Sequence, residues 1–132
     1  MKEKIIKVLK IEPMSVPRMV RLNNDLDSLQ KAVSQGCEYQ GLIEIIPIAE
    51  DAAILCNEEA KLIGLEGNRR LGDDIIAGVF YIVGTDKKGN LCSLTADQMA
   101  YYNQLFFFPE IFTHDEVEKS IFCEVTDFPE ER

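Results

Sequence analysis

The chain has 132 residues, 46% of them hydrophobic, and a formal charge of −9. That length suits one domain able to bury its own core, and no apolar run approaches the roughly 20 residues that cross a bilayer. Direct nucleic-acid binding is not expected either, because it depends on neutralising phosphates with many Lys and Arg. The N-terminal "MKEKIIKVLKIE" interleaves charges where an export signal would be apolar, so a soluble cytoplasmic protein is expected.

The charge is unevenly placed. Residues 1 to 22 hold Lys2, Lys4, Lys7, Lys10, Arg18 and Arg21 against Glu3 and Glu12, and the remainder is acidic. An acidic chain of this kind suits a basic partner surface. Cys37, Cys56, Cys92 and Cys123 form no C-x-x-C pair, which points to reduced thiols and away from zinc or dithiol chemistry.

In chain order, "IIKVLKI" (5–11) is a β-prone run, and "PMSVPRMVRLN" continues it as an extended segment, with Pro13 and Pro17 suited to a turn or sheet edge. The two are expected to pair as a hairpin. Asn24 is expected to cap a helix carrying Leu26, Leu29 and Val33 on one face, with Gly36 ending it. "GLIEIIPIAEDAAILCN" reads as strands over 42–48 and 52–56 with a tight link between them. The polar, Gly-rich stretch 57–74 is expected to be an ordered loop, long enough to be functional.

"IIAGVFYIVG" (75–84) is the strongest strand signal, apolar on both faces, and predicts a single interior strand with a bulge or close approach at Gly78. "TDKKGN" then turns the chain into a short strand over 91–94. Thr95 to Gln98 forms a capping box for a helix with Met99, Tyr102 and Phe106 along one side, stopping near Phe108 because of Pro109. Thr113 to Glu116 is a second capping box for a helix of one or two turns, and "SIFCEV" is expected to be a last strand. Taken together, the elements predict an α+β fold with a mainly antiparallel sheet and two or three short helices packed on it. It would be a single domain over 1–126, followed by a loosely held acidic tail over 127–132.

"GNRRLGDD" (67–74) has the G-x-x-x-x-G spacing of a phosphate-binding loop. Asp73 and Asp74 nevertheless stand where such a loop carries Lys and Ser or Thr, and the strand follows the glycines when it should precede them. A phosphate loop is therefore rejected. Arg69 and Arg70, with Asn68 beside them, could still fork onto a phosphate or carboxylate; alternatively one pairs with Asp73, Asp74 or Glu66 and the other is solvated. Glu58, Glu59 and Asp74 offer carboxylates for acid-base work, but their spacing fits no EF-hand, and neither a metal nor a cofactor is expected. The lone His114 reads as an exposed first-turn residue. Tyr101, Tyr102, Phe106, Phe107 and Phe108 exceed what one helical face can bury, so part of the cluster packs on the last segment or on a partner subunit, which leaves a homo-oligomer open.

The string "CNEEAKLIGLEGNRRLGDDIIAGVFYIVG" resembles the signature region of domain-of-unknown-function family 3846, small proteins carried by bacteriophages, plasmids and other mobile elements of bacteria. "IKVLKIEP", "LDSLQKAV", "GLIEIIPI" and "CSLTADQMAYY" follow in the family's order. The chain departs from the family pattern at Ala60, where Gly is usual, and at Glu66-Gly67, where Pro-Pro is usual. The resemblance implies a bacterial host cell and directs attention to Asn57, Glu58, Glu59, Asn68, Arg69, Arg70 and Asp74 as a ligand- or partner-binding set.

The leading expectation is a non-enzymatic accessory protein that acts by binding and inhibits a host defence system. It would do so by sequestering a small anionic nucleotide signal or by occupying a host protein. One version of the second is a DNA mimic with antirestriction activity. The alternative is a small-substrate enzyme using carboxylates of the 57–74 loop.

Overall fold

The computed structural model describes residues 3–126, with side-chain surroundings up to Ser120. It is α+β with every strand pair antiparallel. Strands β1 (Ile5–Ile11) and β2 (Arg18–Asn23) form the expected hairpin. Its turn is closed by the Ser15 amide donating to the Glu12 carbonyl at 3.2 Å, with Pro13 and then Met14, at φ 66°, in the two central places. Helix α1 (Leu26–Val33) follows. Strands β3 (Ile43–Ala49) and β4 (Ala52–Asn57) make the second hairpin, with β3 displaced by one residue from the expected 42–48 and β4 one residue longer than 52–56.

The main sheet runs β2-β1-β7-β4-β3, where β7 is Phe80–Thr85. The two-residue strand β8 (Leu91–Cys92) pairs with the end of β7. Five consecutive residues of β7, Phe80 to Gly84, are buried, as are all those of β4. Burial on both faces explains their unbroken apolar runs, and each large side chain there contributes about 1.5–3 kcal/mol. On one face, Leu29 and Val33 of α1 cover Ile6, Val8, Leu55, Tyr81 and Val83. On the other, α2 (Ala96–Leu105) lays Tyr102, followed by Phe106, over Leu9, Ile11, Ile54, Phe80 and Ile82. The rings of Phe80 and Phe106 meet edge to face at 5.6 Å.

Several expectations are corrected. The stretch 75–84 is not one strand. Its first part belongs to β6 (Asp74–Ala77), which pairs with β5 (Gly67–Leu71) in a separate two-stranded sheet, so "GNRRLGDD" is a β-hairpin and not a loop. Gly72, at φ 62°, opens its two-residue turn, Gly72-Asp73, as type II′ hairpin turns require. Gly78, at φ 75°, is the break where the chain leaves this small sheet for the large one, and a Cβ there would lie 2.8 Å from Leu65 Cδ1.

Asp25, not Asn24, caps α1, its Oδ1 accepting from the Ser28 amide at 2.8 Å. Asn24 is instead buried, donating to the Glu3 and Leu91 carbonyls. Helix α1 has Ser34 as its C-cap, two residues before Gly36. Both predicted capping boxes are present. The second one starts α3 (His114–Thr126), which runs through "SIFCEV" where a strand was expected. Val117 of α3 packs on Ile75 and Ala77 of β6 with Phe112, while Ile76 faces the large sheet, so β6 is held between two cores. The acidic tail lies outside the described residues.

Replacing Gly78 with Ala should cost about 1–3 kcal/mol in urea denaturation, because a positive φ and displacement of Leu65 act together. Gly72→Ala, with open space around it, should cost less. Equal losses would remove the role given to the Leu65 contact.

Candidate functional site

The turn that follows β4 begins at Asn57, whose Oδ1 accepts from the Glu59 amide at 2.8 Å, closing an Asx turn. Its Nδ2 points to the Val33 carbonyl at 3.5 Å, so a buried amide ties the turn to α1. Chain 58–66 then crosses to the β5–β6 hairpin, and the gap between that crossing, β6 and the β3–β4 hairpin is a cleft of about 250 Å³. Glu44, Cys56, Glu58, Lys61 and Asp74 bring polar groups to it, and Ile46, Leu62 and Ile75 supply apolar wall.

Glu44 sits directly across from Cys56 in the β3–β4 register, and the Cys56 thiol donates to Glu44 Oε1 at 3.9 Å. Burial, with Glu44 and then Asp74 adding negative charge nearby, pushes the Cys56 thiol up to about 12. Cys56 is therefore protonated at neutral pH and is no nucleophile. The Asp74 carboxylate accepts from Lys61 Nζ and from the Ile75 amide, the latter at 2.8 Å. Among the described residues, no three His, Cys, Asp or Glu side chains converge as a metal-ligand group. Cys37, Cys56 and Cys92 are free thiols.

Three of the seven residues singled out in sequence, Asn57, Glu58 and Asp74, line this cleft. Glu59 is exposed on the adjacent turn. Asn68, Arg69 and Arg70 are elsewhere, and as successive residues of β5 the two arginines point to opposite sides. Arg69 is 1% exposed and Asn68 fully buried. Arg69 Nε donates to the Phe106 carbonyl at 2.9 Å, Nη2 to the Ser15 carbonyl at 2.6 Å, and Nη1 to Asn68 Oδ1 at 2.8 Å. Asn68 Nδ2 donates in turn to the Ile11 and Gly78 carbonyls, both at 2.8 Å. Arg70 is exposed, lies 3.7 Å from Glu110 and has its guanidinium 5.2 Å from the centre of the Phe112 ring. A joint fork of Arg69 and Arg70 onto one anion, or a pairing of either with Asp74, is not the geometry of this chain.

Glu44, Cys56 and Lys61 were missed in sequence. The strand pairing could have found two of them, because a hairpin that sets residue 48 against 52 also sets Glu44 against Cys56.

Arg69→Lys should cost about 2–4 kcal/mol in chemical denaturation, since one ammonium cannot reach carbonyls on three elements and leaves buried acceptors unpaired. The exposed Arg70→Lys should cost about 0–1 kcal/mol. Equal effects would contradict the buried assignment. With its thiol at about 12, only roughly one Cys56 in ten thousand is thiolate at pH 8. Peptide mapping after N-ethylmaleimide treatment should therefore find the half-buried Cys37 modified well before Cys56, and the reverse order would show that the cleft floor is open and reactive.

No helix among the described residues is long and apolar enough to cross a membrane. Neither a curated protein nor a solved structure matches the chain. The model of a domain of unknown function, DUF3846, matches residues 6–107, which takes in all three hairpins but for Ile5, the cleft and α2, and the chain belongs to that family.

Proposed function

We propose that the chain is a non-catalytic accessory protein of a phage or other mobile element. It works in the bacterial cytoplasm by occupying a basic site on a host defence protein. The observation that carries this reading is the charge state of the cleft. Three carboxylates, Glu44, Glu58 and Asp74, stand with one lining cation, Lys61, and that cation already bonds Asp74. A thiol held protonated and a carboxylate tied to an ammonium do not make an activated nucleophile with its base. They make a cavity suited to a Lys or Arg side chain whose apolar stem lies along Ile46 and Leu62.

The same charge disfavours capture of a nucleotide signal. Phosphate would meet carboxylates in the cleft, Arg69 is spent on backbone carbonyls, and Arg70 is beside Glu110. The acidic character of the whole chain agrees with mimicry of a nucleic acid at a basic protein surface, and the cleft would add a specific contact to that general attraction.

The test is co-purification from bacterial cells at low salt, with mass spectrometry of whatever is retained. A basic protein should be retained, released at about 0.5 M salt where charge attraction is screened. It should be lost in the double variant Glu44→Lys, Glu58→Lys, whose melting temperature should be nearly unchanged because both positions are exposed. A stoichiometric nucleotide in place of a protein, or retention unaffected by the double variant, would overturn the reading.

A further inference from the structure

In the second half of α2 and just beyond it the chain places large apolar side chains in solvent: Tyr101 is 60% exposed, Leu105 56%, Phe108 77% and Ile111 80%. Tyr101 and Leu105 share a face of the helix at i, i+4, and Phe107 meets Phe108 edge to face at 5.2 Å just past the helix end, so exposed apolar side chains follow one another along 101–111 as a ridge. Their neighbours Tyr102 and Phe106 already fill the core. The ridge is therefore surplus to folding, and a contiguous aromatic surface of this kind marks an interaction site.

Charge selects the occupant. Between Lys88 and Lys119 there is no Lys or Arg, while Asp97, Glu110, Asp115, Glu116 and Glu118 fall in that interval. Two cations reach this region from β5: Arg69, buried on the Phe106 carbonyl, and Arg70, matched by Glu110. Two copies meeting ridge to ridge would bring like-charged segments together with few cations to offset them. A segment carrying Lys and Arg beside its apolar anchors meets complementary charge.

We propose that the ridge formed by Tyr101, Leu105, Phe107, Phe108 and Ile111 docks an amphipathic, basic helix of a partner protein. This rests on the reading of the cleft as a site for a basic protein, and it adds the apolar half of the recognition. The β5–β6 hairpin joins the two surfaces, because Arg70 of β5 contacts Glu110 beside the ridge while β6 lines the cleft. One partner can engage both.

The test uses three fluorescent helical peptides of equal length, one alternating Leu and Lys faces, one with Ser replacing Leu, and one with Glu replacing Lys, with binding read by anisotropy. The intact chain, monomeric by light scattering, should bind the Leu/Lys peptide about tenfold or more tighter than the Ser/Lys peptide, and the Leu/Glu peptide weakest. Phe108→Ser with Ile111→Ser, both exposed, should erase the Leu/Lys advantage while leaving Ser/Lys binding unchanged. An unchanged advantage in that variant, equal binding of the Leu/Glu peptide, or a dimer that the variant dissociates would overturn the ridge proposal. If Ser/Lys binding were instead insensitive to Glu44→Lys with Glu58→Lys while the ridge variant behaved as expected, the cleft reading alone would fail.

Discussion

One buried cation organises this molecule. Arg69 is almost wholly out of water, yet among the described residues no carboxylate bonds it, and its hydrogen-bond partners there are the Phe106 and Ser15 carbonyls and the adjacent Asn68. An unpaired buried charge would be expensive. What offsets the cost is the end of α2. Phe106 is the C-cap of that helix, where unsatisfied carbonyls concentrate partial negative charge, and the last turn of α2 carries no basic residue of its own. Arg69 supplies that residue from a distant strand. Burial lowers its pKa from the ordinary arginine value, with Glu110 acting in the opposite direction, and an arginine starts so high that the charge survives.

The position of the cleft follows from the same clip. Asn68 shares its amide between the Ile11 carbonyl, at the end of β1, and the Gly78 carbonyl, at the break between β6 and β7. Those two bonds hold the small hairpin against one end of the large sheet, and Arg69 fastens it to α2 and to the β1–β2 turn. With β6 then wedged between Val117 of α3 and the face of the large sheet, the hairpin leaves a gap toward β3 and β4. Residues outside the cleft thus set the distance between Glu44 and Asp74.

Local signals explain which parts were legible in sequence. Strands β1 and β4, both capping boxes and the two-sided burial of "VFYIV" are matters of period and hydrogen-bond chemistry within a few residues, and they could be read directly. The break at Gly78 could not, because an apolar run does not say which sheet each half joins. With 67–74 read as loop, the alternation that sends Arg69 inward and Arg70 outward is invisible, and two adjacent arginines can look like one anion site. "SIFCEV" is β-prone by composition, but the box at Thr113 had already started a helix, and contact of Val117 with Ile75 and Ala77 gives that helix a buried face. Of the seven residues singled out, Asn57, Glu58 and Asp74 reach the cleft, while Glu44 required the strand register.

The distribution of charge joins fold to function. Part of the basic N-terminal segment is occupied with its own neighbours: Lys10 and Arg18 each lie 3.7 Å from Glu12, and a hydrogen bond from Gln35 does most to hold the Glu12 carboxyl below its usual value, against the effect of burial. Arg69 is consumed by carbonyls, Arg70 by Glu110 and Lys61 by Asp74. Part of the positive charge of the chain is thus engaged within the fold, whereas Glu44, Glu58 and carboxylates near the aromatic ridge in sequence remain at the surface. A field of that sign would steer a basic partner of the kind proposed before contact and oppose a second acidic copy. On that proposal the apolar groups would then decide which basic partner stays, because electrostatic attraction alone is shared by every cationic surface while burial of Phe108 and Ile111 requires a matching shape.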